Sequence, residues 1–275
     1  MIRPGRTQLA IRYTALIVLA AGFLLPFYVI VRNAFSSQPH ITAATWHWWP
    51  DQLNATNIVA LLDNHNLNIV KALTNSAIVA VLQTAGTVLV SLLAGWAMAA
   101  WSNRAAKILL GATVFTLMVP AAATFIPMFV MTAQLGWIDS YRGLIIPGMF
   151  SAFATYLFRQ SFLDFPTDLT DAAAIDGANP WTAFWRVVVP NSMGIIGAVG
   201  TITFIGAWNA FLWPMLISRE ATRTAQVALS QFMTSQGVKY PELFMGALVT
   251  IVPVVGVFLF LQRYLVQGLV TSGLK

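Results

Sequence analysis

The chain has 275 residues, of which 58% are hydrophobic and only 9% charged, where soluble domains run near 25% charged. So many apolar side chains cannot all be hidden inside a 30 kDa globule, so lipid must solvate much of the surface. An ordinary soluble domain, a disordered chain, a collagen and a coiled coil are excluded by the same composition.

The net charge of +6 does not point to nucleic acid, because the basic residues sit at the ends of apolar runs and form no continuous stripe. With no cysteine in the sequence, disulfides, thiolate metal sites and a cysteine nucleophile are excluded.

Six charge-free stretches mark candidate membrane helices: Tyr13–Val31, Ala72–Asn103, Ile108–Ile138, Gly143–Phe158, Val187–Ser218 and Leu243–Gln262. An ionised group at mid-bilayer costs about 2.5–3.5 kcal/mol or more, so such runs are informative. They predict an all-α polytopic membrane helix bundle with six spans near 13–31, 74–98, 108–132, 142–162, 190–216 and 243–263. The fourth is short for a crossing that takes about 20 apolar residues. Arg3, Arg6 and Arg12 precede the first run much as a signal peptide's basic end would. That run is too long for a signal sequence and reads as a retained span.

Six crossings put both termini on one side. With the N-terminus inside, that side carries Arg3, Arg6, Arg12, Arg104, Lys107, Arg159, Arg186, Arg263 and Lys275. The opposite side carries Arg32, Lys71, Arg142, Arg219, Arg223 and Lys239. This excess predicts cytoplasmic termini in a prokaryotic cell membrane, with 32–71 and 219–242 as external loops.

The first external loop carries Trp46, His47, Trp48 and Trp49. Such a cluster suits an aromatic anchor at the membrane interface, or a docking surface for an external partner. His40, His47 and His65 share this loop without metal-ligand spacing. Pro26, Pro120, Pro127, Pro147, Pro214 and Pro253 fall inside spans, where neighbouring helices can satisfy the carbonyls they free. They predict kinks, or hinges along a pathway.

No Asp, Glu, Lys, Arg or His lies inside any of the six stretches. A proton relay, a voltage sensor and a nucleophile–base pair all need such groups. An ion-coupled secondary transporter or channel would have to bind its ion through neutral oxygens alone, and a membrane enzyme has no catalytic constellation to use. Energy for uphill transport must therefore arrive from a separate partner.

The loop 165–190 is where that energy would enter. Thr167 is expected to cap a first short helix, with Asp168 and Asp171 near its positive end. Gly177 suits a left-handed residue just past its C-terminus. Asn179 then caps a second helix with Pro180 at its first position. Trp181, Phe184, Trp185 and Val188 recur at helical spacing as one apolar stripe. Ala172, Ala173 and Ala174 keep the first helix thin, so a partner's groove can approach its backbone.

This segment resembles the signature of binding-protein-dependent ABC importer permeases, which reads Glu-Ala-Ala, three residues, Gly, nine residues, Ile-x-Leu-Pro. Here Asp171-Ala172-Ala173 stands three residues before Gly177, and nine residues, Ala178 to Arg186, precede Val187-Val188-Val189-Pro190. Asp replaces Glu, and Val replaces Ile and Leu. The stretch Thr203–Pro214, with Trp208-Asn209 and Leu212-Trp213-Pro214, is similar to the carbohydrate-uptake members, as is the tail Gln262–Leu269. Gly143–Phe162 is similar to the glycerol-phosphate members.

The resemblance implies a type I ABC importer permease fold with a cytoplasmic coupling helix. It also implies a second homologous permease subunit, two cytoplasmic ATPase subunits that carry ATP and Mg, and an extracytoplasmic substrate-binding protein. The chain itself would be non-catalytic and bind no cofactor or metal. Asp171, Ala172, Ala173, Ala174, Asp176, Gly177 and Pro190 would couple to an ATPase, and Ser235, Gln236 and Gly237 would contact the binding protein. The cargo implied is a sugar or related polyol, or alternatively glycerol phosphate or its diesters. Within the spans, Trp208, Asn209 and Trp213 are the candidates for touching such a solute, by ring stacking and amide hydrogen bonds. Packing and a helix-joining hydrogen bond are the competing roles for the same three.

Overall fold

The computed structural model describes residues 6–64, 67–101, 103–234 and 237–273. Its helices, in chain order, are α1 (Arg6–Ala34), α2 (Gln38–Ile41), α3 (Thr56–Leu62), α4 (Ile69–Ala100), α5 (Arg104–Leu117), α6 (Ala121–Gln134), α7 (Tyr141–Ile145) and α8 (Ala152–Leu163). They continue as α9 (Thr167–Ile175), α10 (Pro180–Ala183), α11 (Val189–Asn191), α12 (Met193–Trp208), α13 (Leu212–Ile217), α14 (Ala225–Ser230) and α15 (Tyr240–Gly273). Before α15 comes a hairpin of β1 (Met233–Thr234) and β2 (Gly237–Val238), antiparallel, with Met233 opposite Val238. The chain divides into two compact units, Met1–Val70 with Ala228–Val252, and Lys71–Val227 with Pro253–Lys275.

Among the described residues, three helices are long and apolar enough to cross a bilayer unbroken: Thr7–Ala34, Ile69–Ala100 and Tyr240–Arg263. The predicted spans 108–132 and 190–216 are not single helices. α5 and α6 meet at 104°, and the helical stretch Pro180–Asn191 meets α12 at 74°. Proline chemistry explains the first break: Pro120 has extended backbone (φ −58, ψ 130) at the knee and no N–H to carry the ladder through. The second falls at Ser192, just beyond Pro190. After Trp208 the chain unwinds over Asn209–Phe211 before α13. The predicted span 142–162 consists of α7, a 3-10 turn at Pro147–Met149, and α8. At 12 residues, α8 covers about 18 Å, short of the hydrocarbon thickness.

In the first unit the carbonyls at the end of α1 are satisfied by Asn57, whose amide donates to the oxygens of Ala34 and Ser36 at 2.9 and 3.1 Å. Arg32 is buried on the last turn, its guanidinium 5.0 Å from the Trp46 ring centre. Trp46, Trp48 and Trp49 remain exposed, and the latter two pack around Tyr28. His40 and His47 stack at 4.9 Å; His65 lies outside the described residues. The Gln38 amide bridges to the hairpin, donating to Val238 O at 2.9 Å and accepting from Tyr240 N at 3.0 Å. Both predicted external loops therefore meet at one side chain.

In the second unit, α4 and α8 pack backbone to backbone across Gly95. A Cβ there would lie 2.9 Å from the Arg159 nitrogen. Their contact anchors a core of Leu92, Ala154, Phe158, Phe162, Phe184, Val188, Val189 and Val199. A second cluster gathers Val79, Leu144, Ile145 and Ile217, and a third Ala80, Phe204, Ala207 and Trp208.

Candidate functional site

The segment 165–190 folds as a small foot on this core. Pro166, not Thr167, occupies the N-cap of α9, with extended backbone (φ −60, ψ 115) and no side-chain cap. Thr167 takes a helical conformation as the first residue, so its hydroxyl cannot turn back onto the free N–H groups. Asp168 sits in the first turn, where the helix dipole favours an anion.

At the other end the expectation for Gly177 holds, with φ +82. Its N–H donates to Ala174 O at 3.0 Å, and Ala178 N donates to Ala173 O at 2.9 Å. Those two bonds make the complete left-handed stop that glycine permits. Asn179 accepts from Thr182 N at 2.8 Å, with Pro180 at the first helical position, as the sequence predicts.

No residue of α9 is buried. Asp171, Ala172, Ala174, Asp176 and Gly177 are exposed and Ala173 is half-buried. Ile175 is the most prominent apolar group, 87% exposed at the tip.

The expected apolar stripe divides. Phe184 and Val188 are buried, whereas Trp181 is 54% and Trp185 37% exposed. Phe184 is ringed by Trp96 at 4.5 Å, Trp185 at 5.0 Å, Trp181 at 6.0 Å and Phe162 at 6.3 Å. From Phe184 to Val188 the chain widens into a π-helical turn. Pro190, exposed in α11, has no N–H for the Arg186 carbonyl, so the ladder must loosen there. The Asn191 amide and Ser192 hydroxyl compensate, donating to Val187 O at 2.8 Å and Val188 O at 2.7 Å.

Of the solute-contact candidates, Trp208 is only 2% exposed and stacks on Phe204 at 5.9 Å. Trp213 is half-buried, donating from Nε1 to Gly143 O at 3.0 Å. Asn209 is exposed at the unwound break and accepts from Gln226 Nε2 at 3.3 Å. None of the three lines the cleft of about 320 Å3 in this unit. That cleft is walled by Gln83, Thr87, Ser151 and Thr203 with the exposed rings of Phe150 and Phe153. Gln83 and Thr87 are not among the residues singled out from the sequence; they stand four residues apart on α4, a polar pair in a charge-free run. Of the expected binding-protein contacts, Gly237 is exposed in β2 with φ +134; Ser235 and Gln236 lie outside the described residues.

A profile of the "Binding-protein-dependent transport system inner membrane component" family matches residues 70–271. The chain is 37% identical to the sn-glycerol-3-phosphate transport system permease protein UgpE of Yersinia enterocolitica over 201 residues, 72% of each protein. It is 33% identical to the arabinooligosaccharides transport system permease protein AraQ of Bacillus subtilis over 202 residues, 73% of this chain and 72% of that protein. Its fold is that of a chain in the crystal structure of a bacterial ABC transporter involved in the import of the acidic polysaccharide alginate. That match has a TM-score of 0.81 over 96% of this chain and 99% of that chain, at 21% identity. The chain belongs to the family of binding-protein-dependent transport system inner membrane components, as a non-catalytic, multi-pass permease subunit.

Proposed function

We propose that this permease imports a neutral sugar or polyol. It would work as one of two homologous permease subunits above two ATPase subunits that bind ATP and Mg. The observation that carries the cargo is the wall of the cleft, which has an amide, three hydroxyls and two exposed aromatic rings but no ionisable side chain. Hydroxyls and amides exchange hydrogen bonds with sugar hydroxyls, and rings stack on sugar faces. A phosphate would favour an arginine fork or a lysine. Trp208, Asn209 and Trp213 belong to this proposal as the packed shoulder and unwound break beside the pathway.

The second reading, glycerol phosphate, is favoured by the likeness to UgpE, and the companion permease would then supply the cation. Reconstituted transporter decides between them. Uptake of a neutral oligosaccharide, lost with Gln83→Leu, supports the first reading. Uptake of glycerol phosphate that neutral sugars do not compete with overturns it.

The foot 165–190 is proposed to seat in a cleft of one ATPase, with Asp171 to Gly177 as the coupling helix and Pro190 ending the lever. Both termini would then be cytoplasmic, and 32–71 and 219–242 would face outward, where the binding protein delivers cargo to Ser235, Gln236 and Gly237. Three features support this: the α9 surface, exposed Ile175, and the meeting of the outer loops at Gln38. ATP-driven closure would move the foot and, through Phe184, helices α4 and α8. Because the six charge-free stretches hold no Asp, Glu, Lys, Arg or His, the lone chain in vesicles should accumulate nothing.

A further inference from the structure

We infer that Asp139 is a positioning residue for cargo delivery, holding the strap 219–225 at the base of the outer segment in the one geometry the binding protein meets. The inference rests on the proposed reading that 219–242 faces that protein.

Asp139 adopts φ +52, a conformation non-glycine residues rarely take, and its own N–H donates to Ile217 O at 2.8 Å. This turns the carboxylate across the start of the strap. Oδ1 accepts from Arg219 N at 2.8 Å, Thr222 N at 3.1 Å and the Thr222 hydroxyl at 2.7 Å, and Oδ2 accepts from Ala221 N at 3.3 Å.

The strap's carbonyls are gripped from another element. The Asn75 amide, in the first turns of α4, donates to Ala221 O at 3.2 Å and Arg223 O at 2.9 Å. Tyr141, in the helix just after Asp139, donates to Asn75 Oδ1 at 2.6 Å and fixes the amide's orientation. Ser76 accepts from Ala225 N at 2.8 Å. Three N–H groups of the strap and the Thr222 hydroxyl thus go to one carboxylate and two of its carbonyls to one amide, while the side chains of Arg219 and Glu220 point outward, exposed. A loop needs no such grip merely to connect α13 to α14. The grip makes sense if the strap must be rigid before its partner arrives, because the ordering cost is then met on folding and not on binding.

The test uses the assembled transporter with its binding protein, titrated while ATP hydrolysis is followed. In Asp139→Ala the half-saturating concentration of binding protein should rise about tenfold, as expected when hydrogen bonds to a charged acceptor are lost. The rate at saturation should stay near the wild-type value. Asp139→Asn keeps one oxygen for three of the four donors and should restore half-saturation to within about threefold. A nitroxide at Glu220→Cys, the single thiol of this otherwise cysteine-free chain, should gain mobility in the alanine variant without binding protein present. Thr222→Val, which removes one donor at constant volume, should shift half-saturation in the same direction by less, and it reports if the alanine variant does not assemble.

Unchanged half-saturation in Asp139→Ala or Thr222→Val, with a wild-type transporter that is stimulated, overturns the inference and leaves the outer reading standing. A wild-type transporter indifferent to its binding protein overturns both.

Discussion

The ring of Phe184 lies 4.5 Å from that of Trp96, tilted by 34°, and this contact joins the foot to the long helix α4. Phe184 is wholly buried and begins the π-helical turn that leads out of the foot. Under the proposed coupling role, a push on α9 would reach α4 and α8 through a packed aromatic cage and not through a flexible linker, as packed interiors transmit strain.

Phe184→Ala should empty this cage and destabilise the subunit by about 3–5 kcal/mol. Phe184→Leu should cost less. If the cage carries the stroke, the alanine variant also wastes nucleotide: transport per ATP falls more than hydrolysis does. Measuring both rates on one preparation checks this, and an unchanged ratio would show that the stroke takes another route.

Ile175→Glu should leave insertion and thermal midpoint near those of the parent, since an exposed side chain gives up almost no packing. It should abolish association with the ATPase, read by co-purification. Ala173→Glu and Gly177→Asp should likewise remove substrate-stimulated hydrolysis. The first adds bulk to the half-buried face of α9. The second strains φ +82 with open space around it, a penalty of about 1–2 kcal/mol that the inserted chain can absorb. Full stimulation in both would remove the coupling role from α9.

The foot was legible because its chemistry is local. A glycine stop, an asparagine cap and a proline at the first helical position are each fixed by neighbours within four residues, and all three appear where the sequence put them. Thr167 misled because Pro166 before it could serve as the half-in residue without offering a side chain. The spans were legible as apolar runs but not as straight rods. At Pro120 the kink expected of a proline is a full break, but hydropathy sums over a window and is blind to direction, so nothing marked the second turn at Ser192. Asp139 carried no signal either. Its partners Arg219 and Thr222 lie 80 and 83 residues away, and only the fold brings them together.

The pH response of the strap follows from the same carboxylate. Burial pushes the Asp139 pKa up, but the hydrogen bonds from Thr222, Arg219 and Ala221 outweigh it and hold the group below its ordinary 3.8. A carboxylate more acidic in the folded chain than in the unfolded one contributes stability above its unfolded pKa and loses it as pH falls through the folded value. Amide exchange at Arg219 and Thr222, corrected for intrinsic rates, should therefore show constant protection from pH 8 to about 5 and lose it only below about 4. Loss of protection near pH 6 would mean that a histidine, and not Asp139, governs the strap.

Gly95 offers the sharpest test of how closely α4 and α8 must approach. A Cβ there would stand 2.7 Å from the Phe158 Cβ, 2.9 Å from the Arg159 nitrogen and 3.1 Å from the Thr155 oxygen. None of these is the free end of a flexible side chain, so the helices themselves must part. Gly95→Ala should cost about 1–3 kcal/mol by overpacking, and because Trp96 follows directly, coupling through Phe184 should weaken with it. Gly111→Ala is the control: nothing lies within 4 Å of its added methyl, and removing a glycine from the middle of α5 should stabilise by about 0.5–1 kcal/mol. Thermal midpoints of the two variants should move in opposite directions. A Gly95→Ala protein as stable as the parent would mean that α4 and α8 are not in contact at this depth.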